Sequence, residues 1–301
     1  MIDLHTHSTF SDGTLTPTQL VELAAQVGLS AVALTDHDTV AGVQEGIDAA
    51  ASRNVIFIPG VELSAEIDHG ALHILGLFVD HTHPILMSLL DDTIRFRVQR
   101  NHKIVERFND LGMPITLEEV EAVAGDGTVG RPHFAQVLTS KGYTRSVRDA
   151  FLRYLSKNGA AYFPKVRVSP ERAISVIEAA GGVSVLAHPD QTHLGGRDLA
   201  DFIERLKGMG LKAMETHYSG YTHAQSRKYA KLALRFCLKE SGGSDFHGSV
   251  KPGLSLGTGP GDLHVPDRFL APLVATAKAL RSKRMEEPPP PAPRPTNMNP
   301  I

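Results

Sequence analysis

The sequence predicts an α/β protein whose strands close, or nearly close, into a barrel. Three observations predict it. Short apolar segments of strand length alternate with helical segments along most of the chain, the pattern of a parallel sheet covered by helices. Five of the apolar segments run straight into His, Asp or Glu, at His5-Thr6-His7, Asp36-His37-Asp38, Gly60-Val61-Glu62, His188-Pro189 and Asp245-Phe246-His247. Parallel α/β folds place their sites at strand C-termini, and a closed or nearly closed barrel gathers such ends in one cup. Finally, residues 84–162 show helical periodicity and no convincing strand, so an all-helical insertion interrupts the alternation.

The opening strand ends in His5 and His7. Side chains alternate faces along a strand, so both imidazoles point the same way and make half of a transition-metal site. Asp12 follows on a short loop. Thr16-Pro17-Thr18-Gln19 starts the first helix, with a capping Thr, Pro at the first position and Gln at the third. Gly28 ends it, and a strand over 31–35 follows. A second helix over 39–52 leads to a strand over 55–59. Residues 71–79 form an apolar strand containing His73. A long helix spans 85–111, and shorter ones begin at Thr116, Pro132 and Ser146. The alternation resumes with a helix from Ser169-Pro170 to Gly181-Gly182 and a strand over 183–187. A helix over 199–207, a strand over 211–216, a helix over 222–234 and a short strand before Asp245 complete it. A last helix spans 266–284. The tail, 285–301, holds four consecutive prolines from Pro288 and no apolar periodicity, the composition of a disordered segment. The expected organisation is a barrel from 1–83 and 163–284, a helical cap over 84–162, and the tail.

Composition narrows the function classes. The 301 residues suffice for one large domain with an insertion. No apolar run spans a bilayer, and no signal peptide precedes the first strand. The single cysteine, Cys237, rules out an internal disulfide and makes a cytoplasmic setting the expectation. A formal net charge of −2 gives no bulk basic field for duplex nucleic acid. Histidine, at 15 residues, is the unusual count, and it suggests a metal site. No Gly-x-Ser-x-Gly elbow or phosphate-cradling P-loop is present.

As a set, His5-Thr6-His7, Asp12-Gly13, Thr35-Asp36-His37-Asp38, Gly60-Val61-Glu62, His73-Ile74-Leu75-Gly76, Ala187-His188-Pro189 and Ser244-Asp245-Phe246-His247 resemble the PHP family, named from polymerase and histidinol phosphatase. Order and spacing match over nearly the whole chain up to the last helix. Gly130-Arg131-Pro132-His133, inside the helical insertion, points to the branch of nucleoside 3′,5′-bisphosphate phosphatases. Some members of that branch are described as 5′-to-3′ exoribonucleases. The resemblance implies a distorted (β/α)7 barrel with a cluster of divalent metals, usually three ions, in its cup. It implies a first ion on His5, His7, Glu62 and Asp245. Glu62 bridges to a second, completed by His73 and His188, and Asp12, His37 and His247 hold a third. Each set mixes imidazole with carboxylate, which suits Mn²⁺, the first expectation, or Fe²⁺ or Zn²⁺. All nine positions carry the family's residue types.

Neighbouring residues are read beside this set. Asp36 and Asp38 are taken as groups that orient histidines. His73 is preferred to His69 because it lies in an apolar run, where an unpaired imidazole is costly. His81 and His83 open the insertion and are read as outside the site. His217, two residues after Glu215, is a candidate substrate contact facing the cup. His102, His193, His223 and His264 are expected at the surface or in loops.

A phosphomonoester dianion repels its attacker, and a cluster of cations offsets that repulsion. On this reading Asp245 accepts the proton of the attacking water, and His247 or His188 protonates the leaving alcohol. Arg131 and His133 flank Pro132 at a loop-to-helix junction, where an arginine fork and helix N-terminal N–H groups suit a phosphate. Arg97, Arg100 and Asn101 share one helix face. Spacing alone leaves a solvated basic face equally open, and the resemblance tips Arg100 and Asn101 towards substrate. One phosphate would be gripped by the insertion while the other enters the cup.

The expected reaction is release of the 3′-phosphate from nucleoside 3′,5′-bisphosphates to give 5′-monophosphates. Exonuclease action on short single-stranded RNA with a 5′-phosphate is the second reading, with Phe134, Tyr143, Tyr162 and Phe163 as aromatics for stacking bases. The helical insertion disfavours a histidinol-phosphate phosphatase. Retention of all nine positions disfavours a non-catalytic metal-binding regulatory module.

Overall fold

A computed structural model of the chain describes residues 1–125 and 128–286. Its strands are β1 (Ile2–Asp3), β2 (Ala31–Leu34), β3 (Ile56–Ala65), β4 (Leu72–Leu77), β5 (Val183–Leu186), β6 (Ala213–Tyr218) and β7 (Lys239–Gly243), side by side in chain order. The two ends of the sheet meet. Leu4 N–H donates to the Gly242 carbonyl (3.1 Å), Asp245 N–H to that of His5 (2.9 Å), and His7 N–H to that of Phe246 (2.9 Å). The result is the expected nearly closed barrel.

One strand departs from the expected parallel order. β4 runs antiparallel to both β3 and β5. β3 does not stop at Pro59 but continues through Glu62 to Ala65, so only residues 66–71 separate it from β4. A parallel crossover needs about a dozen residues or more, so a hairpin forms instead. His73 therefore lies near the start of its strand, beside the C-terminal ends of the parallel ones.

The helices are α1 (Pro17–Gln26), α2 (Val43–Ala50), α3 (Pro84–Asp110), α4 (Leu117–Ala124), α5 (Arg131–Ser140), α6 (Val147–Ala150), α7 (Pro170–Ala179), α8 (Gly196–Gly208), α9 (His223–Arg235) and α10 (Leu270–Glu286). α6 continues as a π-helical turn over Phe151–Leu155. α1 starts with the predicted capping box, Thr16 and Gln19 each accepting the other's backbone N–H. α2 is shorter than the predicted 39–52, because Val40 and Val43 close a turn first (3.0 Å). α10 carries the last helix to Glu286. The remainder of the expected tail, 287–301, lies outside the described residues. No strand occurs among the described residues of 84–162. No helix among the described residues is long and apolar enough to cross a membrane.

Side-chain alternation sorts the strand residues between cores. Ala31, Ala33, Ile58, Leu75 and Val185 pack with Ile2, and Phe269 and Leu273 join them. Val32 and Leu34 point the other way, onto Leu20 and Ala24 of α1. α3 belongs to two cores. Leu86, Leu89 and Leu90 pack with Ile74 of β4 and Ile174 and Ile177 of α7. Ile104 and Phe108, farther along, pack with Val120, Phe134, Leu138 and Leu155.

Candidate metal centre

The strand ends bring all nine ligand-type residues together. Glu62, on β3, is fully buried and sits at the middle. Its Oε1 lies 2.8 Å from His73 Nδ1 and 3.0 Å from His188 Nε2. Its Oε2 lies 3.2 Å from the Nε2 atoms of both His5 and His7, and 3.1 Å from His37 Nδ1. Asp245 Oδ1 faces His7 Nε2 (3.3 Å), His247 Nδ1 (3.4 Å) and His5 Nε2 (3.6 Å). Asp12 closes the far side, 3.2 Å from His247 Nε2. His5, His7 and Glu62 are sealed off, whereas the side chains of Asp12, His37 and His73 are 54%, 26% and 21% exposed. The centre therefore opens on that side.

Buried carboxylates hold His5 and His7 in charged forms, and the histidines keep the carboxylates ionised, whereas His37 is driven neutral. Burial opposes a charge on His5, but the carboxylates of Glu215, Glu62 and Asp245 raise its pKa well above the ordinary value. Burial also opposes a charge on His7, and the Asp245 and Glu62 carboxylates beside it bring it up to about 9. Burial pushes His37 down to about 3 against the pull of Glu62, with like charge on His7 and His73 adding to the fall. Burial works against ionising Glu62 and Asp245, yet the surrounding histidines hold both below the usual carboxylate range.

The residues fit a metal cluster. His7 Nε2 and His37 Nδ1 are buried yet make no aligned hydrogen bond among the described residues. The donors form four overlapping groups, each with its ligand atoms within 4.8 Å of one another. These are His7–Asp12–His37–His247, His5–His7–Asp245, His5–Glu62–His188 and His37–Glu62–His73. Imidazole with carboxylate is a donor set for borderline divalent ions. Two tautomers are fixed from behind. His5 Nδ1–H donates to Glu215 Oε1 (2.9 Å) and His247 Nδ1–H to the Asp245 carbonyl (2.8 Å), which leaves each Nε2 for the centre.

Several neighbours fall elsewhere than the sequence suggests. Asp36 accepts from Ser8 N–H (2.7 Å) and from the Ser8 and Ser11 hydroxyls, so it fixes the loop leading to Asp12 and meets His7 Nδ1 only through the Ser11 hydroxyl (3.5 Å). Asp38 accepts from Ser64 N–H (3.0 Å) and Lys165 Nζ (2.9 Å), with Arg97 3.6 Å away. It holds cations, not imidazoles. His217 does not follow Glu215 into the barrel, because a register shift against β7 falls between them. His133 turns back on its own helix and accepts from Gly130 N–H (3.1 Å). Asn101 is buried, accepting from Arg100 (3.3 Å). His69 is exposed in the β3–β4 turn. Phe134 is locked in a core, and Tyr143 and Phe163 pack on it. Tyr162 instead lies under Arg131, whose guanidinium carbon is 5.5 Å from the ring centre.

A family model described as PHP domain matches residues 3–159. A 5′-3′ exoribonuclease of Haemophilus influenzae is 38% identical over 245 residues, covering 81% of this chain and 89% of that protein. The chain belongs to the PHP family. A 3′,5′-nucleoside bisphosphate phosphatase of Chromobacterium violaceum is 33% identical over 267 residues, 85% of this chain and 90% of that one. The crystal structure of a candidate metal-dependent phosphoesterase from Bifidobacterium adolescentis superposes with a TM-score of 0.73 at 32% identity, covering 91% of this chain and 96% of the other. This PHP protein is therefore a hydrolytic enzyme, a metal-dependent phosphoesterase on a nearly closed seven-strand barrel.

Three residues of the PHP centre escape sequence reading. Glu215 bonds both His5 Nδ1 and the His188 backbone N–H (2.6 Å). Lys251 and Tyr218 both donate to Asp245 Oδ2, at 2.6 and 2.9 Å. Glu215 ends an apolar run as Glu62 does, and that was the available signal. Lys251 and Tyr218 carry none.

Proposed function

We propose that this PHP phosphoesterase releases the 3′-phosphate from nucleoside 3′,5′-bisphosphates and leaves the nucleoside 5′-monophosphate. One observation carries the reading. A cleft of about 340 Å³ is lined by Asp12, His37 and His73 on the metal side and by Arg97, Arg100, Arg131 and Lys165. The cations crowd one another. Burial, then Arg131 and Arg97, bring the Arg100 guanidinium down to about 10, and its buried Nε has no partner among the described residues. A second phosphate relieves that crowding through charge-assisted bonds. Arg131 opens α5, so helix N–H groups add to the attraction.

Under this reading His5, His7, Glu62 and Asp245 would hold one Mn²⁺, Glu62, His73 and His188 a second, and Asp12, His37 and His247 a third. Such ions neutralise phosphoryl oxygens and stabilise the leaving oxygen. Asp245 takes the attacking water's proton at Oδ1, since its other oxygen is held by Tyr218 and Lys251. His247 or His188 is the expected proton donor to the leaving alcohol, a role open only to a ring nitrogen that is not holding an ion. Residues 84–162 act as a cap, with Arg97, Arg100 and Arg131 gripping the 5′-phosphate. Lys165, held by Asp38 and Ser64, has a remaining N–H for substrate.

A second reading, 5′-to-3′ cleavage of short 5′-phosphorylated RNA, is favoured by the higher identity to the Haemophilus exoribonuclease. The bond broken is the same 3′-oxygen–phosphorus bond. The test is kcat/KM of the Mn²⁺-loaded chain on adenosine 3′,5′-bisphosphate, 3′-AMP and a 5′-phosphorylated trinucleotide. Preference for the bisphosphate over both supports the first reading. Equal rates on bisphosphate and 3′-AMP sink the two-phosphate grip, and faster trinucleotide cleavage makes RNA the substrate.

A further inference from the structure

A second cavity, of about 230 Å³, adjoins the metal centre through Tyr218. The Tyr218 hydroxyl donates to Asp245 Oδ2, and the residue also lines the cavity with His217, Tyr221, His223, Asp262 and His264. The volume is below the roughly 300–1,000 Å³ of pockets that take a whole small molecule. It suits a single ring system.

His217 reaches this cavity because β6 breaks its alternation. Glu215 points into the barrel, where it bonds His5. Regular pleating would send His217 the same way. The register shift between the two turns it aside, and its ring meets Phe269 edge-on at 5.1 Å while Nδ1 meets the Thr216 hydroxyl at 2.9 Å. Bulges beside active sites commonly re-aim a side chain in this way. Burial keeps this imidazole below its ordinary pKa, so its ring is neutral near pH 7.

α9 leads away from the cavity. His223 and Ser226 line the cavity, while Arg227, Lys228, Lys231 and Arg235 line a separate groove on another face of the same helix. α9 carries no acidic residue.

We propose that this cavity binds the nucleobase of the nucleotide following the scissile phosphate in a short single-stranded RNA. The proposal rests on the RNA reading above. A nucleoside bisphosphate has no such nucleotide and does not reach the cavity. Tyr218 and Tyr221 pack against each other (ring centres 5.1 Å apart), so the stacking faces are those of His217 and of the exposed His223 and His264. The Asp262 carboxylate accepts N–H donors from a base edge, and guanine presents two such donors side by side.

The test uses the full Mn²⁺-loaded chain and two 5′-phosphorylated dinucleotides, adenosine followed by guanosine and adenosine followed by an abasic residue. The wild type is expected to favour the base-bearing dinucleotide by about tenfold in kcat/KM, the scale of one stacked base. His217→Ala, and His264→Ala at an exposed position that leaves the core alone, are expected to reduce that preference to about threefold or less. Equal rates on the two dinucleotides in the wild type overturn the cavity assignment alone, as does full preference in both variants. Hydrolysis of the bisphosphate with cleavage of neither dinucleotide overturns the RNA reading and the base site together.

Discussion

Asp38, His188 and Asp245 hold left-handed backbone conformations, with φ of 52°, 23° and 55°. Each such residue costs roughly 1–3 kcal/mol and persists only where its surroundings over-determine it. Here they do. Asp38 is fixed by Ser64 and Lys165, the His188 N–H by Glu215, and Asp245 by Tyr218 and Lys251. Glu215 matters most, since one carboxylate orients two histidines from different strands. Glu215→Gln keeps the shape and removes the charge. It is expected to raise the Kd for Mn²⁺ by about 10- to 100-fold, measured by titration calorimetry, with the circular dichroism spectrum unchanged. An unchanged Kd would mean that His5 and His188 need no such support. At the other side of the cleft, Arg131→Ala is expected to raise KM for the bisphosphate about tenfold and leave kcat within about twofold, the signature of lost uniform binding. A fall in kcat at constant KM would instead place Arg131 at the reacting phosphorus.

Among the elements, β6 shows how a local irregularity changes chemistry. Its register shift half-buries His217, and burial lowers that imidazole's pKa. The sign follows from which state binds the proton. The unfolded chain takes up a proton near pH 6.5, whereas the native ring takes it only at lower pH. Stability is therefore fully present above that value and is lost as pH falls towards the native pKa. His217→Gln removes this contribution, so its Tm is expected to drop less than the wild-type Tm between about pH 7.5 and pH 5.5. Parallel pH dependence in the two proteins would show that the ring titrates as if exposed. The same shift explains a limit of sequence reading. Glu215-Thr216-His217 alternates regularly as letters, and only pairing with β7 reveals the break. β4's direction is hidden for a related reason, because it depends on where β3 ends. Capping boxes at Thr16 and Thr116 are local, so those helix starts were legible. The clustering of the nine ligand-type residues was legible because strand ends concentrate them. Asp38 was misread because its partner, Lys165, is 127 residues away in the chain.

At the scale of the molecule, α3 couples two cores that otherwise share few contacts. Its first part packs on the barrel side through Leu86, Leu89 and Leu90, and its last part on α4 and α5 through Ile104 and Phe108. The cleft lies across this division. Asp12, His37 and His73 come from the barrel, Arg97, Arg100 and Arg131 from the helical segment. A substrate with two phosphates therefore joins the two parts, and binding must stabilise whichever part opens more readily. The small core around Phe108 and Phe134 is the weaker candidate, since opening free energies are lowest where buried apolar contacts are fewest. Hydrogen exchange is expected to show α4 and α5 exchanging through a smaller opening than β2 to β6, with the amides of 86–90 following the barrel and those of 104–108 following α4 and α5. Adenosine 3′,5′-bisphosphate, added at about 100 times its Kd without catalytic metal, should then protect the α4 and α5 amides by up to about 2.7 kcal/mol, roughly a hundredfold slower exchange. Equal slowing across the whole chain would show one cooperative unit, with α3 as a spine rather than a joint. No slowing in α4 and α5 would show that the arginines do not hold the second phosphate, whatever the barrel does with the first.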